Sequence, residues 1–181
     1  MKHPDRYPVL IPLIALAFTA VHLILEHFTG GVLSHHLFNN PDLPAISNWL
    51  ELITLPVLGV VLGQRVRTHP SSKRRAGIPV PVLTALLGAI LYGAVLAASF
   101  SLGAETITSA AFLGLIVCGF VLPVYRVEYI LGFVAGMTFT IGGILPLLFA
   151  LVVAAVSFTV RPLVSRVGKA IRARKTQSGR G

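Results

Sequence analysis

All fifteen lysines and arginines of this chain fall into four short clusters, at 2–6, 65–75, Arg126 and 161–180. The stretches between them, 7–64, 76–125 and 127–160, contain none and are strongly apolar. A bilayer core excludes cations, and cytoplasmic loops collect them, so the alternation reads as a polytopic helical membrane protein. With 55% hydrophobic residues and a mean hydropathy of +0.83, whole segments are apolar on every face. A soluble core needs only apolar stripes.

The net charge of +9 raises nucleic acid as a partner. That role needs cations on a folded polar surface with base-stacking aromatics. Here the cations border apolar spans, so the expected partners are the bilayer and its anionic lipids at the cytoplasmic face, and no nucleic acid. The single cysteine, Cys118, rules out an intrachain disulfide and a cysteine-based zinc site, and its apolar surroundings read as packing. A cut after Ala20 would leave Phe18 where a signal peptidase needs a small residue. The first apolar run is therefore expected to stay as an uncleaved span.

Six membrane segments are expected, at about 8–28, 47–64, 79–101, 104–125, 129–141 and 145–160, forming one all-α domain, with a basic tail at 161–181. The stretch 129–160 is the difficult one. As a single helix it would measure roughly 48 Å, well beyond a hydrocarbon core of about 30 Å. It is also short for two full spans. Gly142-Gly143 and Pro146 offer a break, and the cations from Arg161 onward belong inside, which requires an even number of crossings. Two short segments, or a re-entrant hairpin, satisfy both demands. Both termini are then cytoplasmic, in the cell (inner) membrane. Small residues four apart, Gly59/Gly63 and Gly132/Gly136, would let helices approach closely. In the tail, Leu163, Val167 and Ile171 repeat at helical spacing among cations, as an interfacial helix would.

This topology separates the charges. The fifteen cations with Asp5 and Glu128 give +13 inside, while Glu26, Asp42, Glu51 and Glu105 give −4 outside, together the chain's +9. His22, His27, His35 and His36 fall on the outer side. Carboxylates near a membrane without a basic partner are costly unless a proton, a metal ion or a cationic solute joins them. On helical spacing, Thr19, His22 and Glu26 share one stripe of the first span, with His27 turned away. Ser47, Glu51 and Thr54 share another on the second span. Glu105 with Ser109, and Thr138 with Thr140, add polar residues at similar depth. An outward-facing pocket is expected.

For a divalent metal the ligand candidates are His22, Glu26, His35, His36 and Glu51, a nitrogen and oxygen set suited to zinc, iron, copper or manganese. In a catalytic version Glu26 or Glu51 is the general base for metal-activated water. Each residue also has a plainer reading. His35-His36 can be a solvated loop pair, His22 a neutral ring bonded to Glu26, and Asn48 with Glu51 a capping box for the second span. His22 and His27 stand five apart, roughly 140° around a helix, and so miss the shared face of the HExxH motif. Arg126 and Glu128 read as an interfacial anchor pair. Three function classes fit the pocket: a membrane metalloenzyme or metal-handling protein, a proton-coupled small-solute transporter or permease component, and an accessory subunit docking a protein partner or a second copy.

Overall fold

The computed structural model describes residues 6–36, 40, 42, 44–70 and 77–178, with side chains through Pro162. The turn residues Asn39 and Pro41, the loop cations Lys73, Arg74 and Arg75, and the side chains of Leu163, Val167 and Ile171 lie outside it. The described chain is all-helical apart from one small hairpin. Its helices are α1 (Tyr7–Phe28), α2 (Glu51–Thr68), α3 (Val80–Ser101), α4 (Glu105–Val121), α5 (Val127–Ile141) and α6 (Ile144–Ser178). A 3-10 turn, Asn48–Leu50, leads into α2.

Four helices are long and apolar enough to cross a membrane: Tyr7–Phe28, Asn48–Thr68, Val80–Ser101 and Ile144–Pro162. The protein is thus a membrane protein by the length and composition of its helices. α4 and α5 are shorter, at 17 and 15 residues, whereas α6, expected to be short and to end near residue 160, is long enough to cross and its helix runs on through Pro162 to Ser178. α4 stops at Val121, short of the expected residue 125, because Pro123 forces Leu122 out of helical geometry, to φ −99° and ψ 153°. α5 ends where expected, at Gly142 with φ 70°, a conformation that costs a glycine little.

Close contacts set the direction of each helix. The backbone of α2 at Gly59 and Gly63 lies against Pro12 and Pro8 of α1, so these two are antiparallel. A Cβ on Gly63 would stand 2.7 Å from Pro8 Cα. Gly132 of α5 meets Leu86 and Ala89 of α3, and Gly136 meets Ile90 and Ala94, so α3 and α5 run parallel. Both pairs of small residues picked out by their spacing therefore sit at close helix crossings. Tyr92 of α3 donates to Ala111 O of α4 at 2.5 Å, and Ser157 of α6 donates to Leu122 O at 3.1 Å. Successive helices alternate in direction throughout.

The two most extensive helix pairs are α1 with α2 and α3 with α5, while α2 touches α5 over far fewer residues. The bundle is thus two tightly packed parts with a lighter seam between them. α5 is the best-buried helix, and Gly142 and Gly143 are buried too. Non-helical backbone at membrane depth is tolerated where protein covers it and supplies hydrogen-bond partners.

The connection between α1 and α2, where His35-His36 could be a loop pair, is partly ordered as a hairpin. β1 (Ser34–His36) pairs antiparallel with β2 (Ala45–Ser47), His35 facing Ile46 and His36 facing Ala45. Asp42 N–H donates to Asn40 Oδ1 at 3.0 Å, the local bond a turn at this place needs.

Candidate functional site

The first span carries His22 and Glu26 on one face, and α2 begins with Glu51. Antiparallel packing of α1 on α2 brings these three together. Glu51 is fully buried and His22 is 3% exposed. His22 Nδ1 lies 3.1 Å from Glu51 Oε2, and His22 Nε2 lies 3.6 Å from Glu26 Oε1. The imidazole thus stands between two carboxylates, one on each ring nitrogen. Phe139 of α5 holds the ring edge to face, with centroids 5.1 Å apart.

Protein donors complete the cluster. Gly143 N–H donates to Glu51 Oε1. Gly143 precedes the first turn of α6, so the positive end of that helix also points at the carboxylate. Asn48 Nδ2 donates to Glu26 Oε1 at 2.7 Å, and Leu33 N–H donates to Glu26 Oε2 at 3.3 Å. Asn48 N–H in turn donates to Leu33 O at 3.0 Å, tying the base of the hairpin to the cluster.

The capping-box reading of Asn48 and Glu51 does not hold. The carboxylate of Glu51 is engaged by His22 and Gly143, and the amide of Asn48 by Glu26. Ser47 caps the 3-10 turn instead, accepting from Trp49 N–H at 3.4 Å. Asn48 and the Gly143 N–H are site members that sequence reasoning passed over. A local role as a cap, or as a helix break, already accounted for each of them.

Other expected members stand apart. Glu105 and Ser109 are exposed on the first turns of α4. Thr19 and Thr138 are fully buried, but each hydroxyl donates to its own helix, at Ala15 O and Val134 O. Thr54 Oγ1, one turn along α2 from Glu51, is buried without a hydrogen-bond partner among the described residues. His35 is half-buried on β1 with Nε2 likewise unpartnered, and His36 is exposed beside it.

Among the described residues no group of three or more His, Cys, Asp and Glu side chains is placed to hold a metal ion. The chemistry of the cluster agrees. Glu51 and Glu26 flank opposite nitrogens of one ring, so an ion on either nitrogen is turned away from the far carboxylate. What this arrangement does offer is a buried imidazole hydrogen-bonded to one carboxylate and 3.6 Å from a second, the kind of group that carries protons in membrane proteins.

A second charged contact crosses the same seam at the opposite end. Arg65 Nε of α2 lies 2.7 Å from Glu128 Oε2 of α5. It is a charge contact whose N–H direction does not line up as a hydrogen bond. Glu128 is 1% exposed and pairs across the seam, so the anchor pair expected with Arg126 is not what forms. No protein-family model, curated protein or solved structure matches this chain, and the geometry alone carries its functional reading.

Proposed function

We propose that this protein is a six-span inner-membrane transporter or permease component, with both termini cytoplasmic, that couples proton movement to passage of a small solute. The observation that carries the reading is the buried Glu51–His22–Glu26 chain, closed by the Gly143 N–H at the break between α5 and α6. Discontinuous helices whose ends face a charged group near the seam between two packed parts are the parts list of alternating access.

A proton arriving on Glu51 turns an acceptor oxygen into a hydroxyl and weakens its hold on Gly143 N–H and on His22. That loosens α2 from the α5–α6 turn at one end of the seam, while Arg65 and Glu128 hold the other end. Glu26, partly buried under the hairpin, is the side of the relay nearest the exterior. Thr54 Oγ1, one turn along α2 from Glu51, is buried with no hydrogen-bond partner among the described residues, and opening of the seam would present it to a polar solute. The outward sidedness rests on the positive-inside rule.

The test is proton flux into liposomes reconstituted with purified protein, read by an enclosed pH dye under an imposed potential. A panel of amines, amino acids and sugars is offered as solute. Solute-dependent flux should appear in the wild type and disappear in Glu51→Gln and His22→Gln. Wild-type flux equal to that of protein-free vesicles across the panel would sink the proposal.

A second reading keeps the cluster and adds a divalent cation beside it, for metal handling or for hydrolysis with Glu26 or Glu51 as base. Its support is the buried Nε2 of His35, without a hydrogen-bond partner among the described residues, two residues beyond the Leu33 that bonds Glu26. Metal content of purified wild type equal to that of a His35→Ala/His36→Ala variant would remove it.

A further inference from the structure

With Glu128 drawn towards Arg65, Arg126 is left exposed, and no ion pair engages it among the described residues. It lines one end of a half-open cavity of about 520 Å³ between α3, α4, α5 and α6. Ala85, Gly88 and Ala89 of α3 and Ala150 of α6 line it, and such small side chains leave the bore hollow. A Cβ added to Gly88 would meet nothing within 4 Å. Two of the polar groups along the wall are already spent: Tyr92 OH donates to Ala111 O, and Thr84 Oγ1 to Val80 O at 3.0 Å. The interior therefore suits hydrocarbon, and the cation sits at one end only.

The dimensions point the same way. From Pro81 to Tyr92 the cavity follows α3 for a rise of roughly 16 Å, at about 1.5 Å per residue. One leaflet of a hydrocarbon core is about 15 Å deep. Arg126 lies where α5 begins, the end of the bundle at which Arg65 meets Glu128, so its guanidinium stands at headgroup level when the bore lies within the leaflet. A guanidinium is the side chain best matched to a phosphate, through paired N–H donors.

We propose that this cavity binds an anionic phospholipid of that leaflet, its phosphate on Arg126 and one acyl chain laid along α3. The site shares no residue with the His22 cluster, so it stands whether or not the protein moves protons.

Cys118, the chain's single cysteine, lines the cavity and reports occupancy without any engineered label. The purified protein in detergent is titrated with phosphatidylglycerol or with phosphatidylcholine of the same acyl chains, and the rate of maleimide labelling at Cys118 is followed. Phosphatidylglycerol should protect at about fivefold lower concentration, the size of one interfacial cation's preference for anionic lipid. Arg126→Gln, a surface change, should merge the two curves. Gly88→Leu, which fills the bore, should abolish protection by both lipids. Equal protection by the two lipids in the wild type, or a preference that survives Arg126→Gln, overturns the proposal. So does lipid-free protection that rises with protein concentration, which would assign the cleft to a second copy.

Discussion

Glu51 and Gly143, 92 residues apart in the chain, are joined by a hydrogen bond from the glycine N–H to the buried carboxylate. The bond fastens the start of α2 to the turn between α5 and α6. It also explains how a helix can be broken at Gly142-Gly143 inside an apolar bundle. The amide freed by the break has a charged acceptor, and the carboxylate taken out of water has a donor.

Glu51→Ala should therefore destabilise the protein more than Glu51→Gln. Alanine strands both the Gly143 N–H and His22 Nδ1, at about 1–3 kcal/mol for each buried group left unpaired. Glutamine keeps an acceptor for one of them. Unfolding in detergent, followed through Trp49, should rank wild type above Glu51→Gln above Glu51→Ala. Equal loss in the two variants would mean that the charge itself, and not the hydrogen bonds, holds the site.

The two glycines of the break should respond differently. Gly142 has φ +70°, and a Cβ there would run into the amide of Asn48. Its backbone, φ 70° with ψ 175°, is essentially a glycine-only conformation that costs a residue with a Cβ about 1–3 kcal/mol, and displacing Asn48 also disturbs Glu26. At Gly143 a Cβ would meet Leu55 at 3.2 Å and Glu51 at 3.3 Å, contacts that small side-chain shifts relieve. Gly142→Ala should lower both stability and proton flux, whereas Gly143→Ala should be milder in both assays.

Arg65 and Glu128 form the second tie across the seam. Removing the arginine leaves a buried carboxylate uncompensated, which costs on the order of 3 kcal/mol. Arg65→Gln and Glu128→Gln should each destabilise, and the double variant should be less damaged than the sum of the two. A double-mutant cycle measures that coupling directly. Additive losses would show that the 2.7 Å contact contributes nothing of its own.

Sidedness is tested by labelling. In a Cys118→Ala background, His36→Cys should react with an impermeant maleimide added outside intact cells, and Pro70→Cys only after the membrane is opened. Both reacting from the same side would reverse the outward placement of the cluster.

Much of the fold was legible from residues 129–160. The break at Gly142-Gly143 lies where α5 ends and α6 starts, but α6 is not the short segment expected, because its helix continues past residue 160 to Ser178. The pairing of Gly59/Gly63 with α1, and of Gly132/Gly136 with α3, was not legible, because four-residue spacing marks a close crossing without naming its partner. At the site, His22, Glu26 and Glu51 stood out as ionisable groups without cations. Asn48 did not, because its spacing from Glu51 already had a local explanation.

Hydropathy and the positions of cations are local properties that add up along the chain, so the sequence by itself determined that the protein belongs in a membrane and roughly where each helix lies. Which carboxylate meets which donor depends on how each helix is rotated against its neighbour. Only packing decided that Glu51 reaches His22 and Gly143, that Glu128 leaves Arg126 for Arg65, and that Glu105 stays outside the cluster. A buried charge takes whatever partner the assembled helices bring within about 3 Å, and no window of sequence contains that distance.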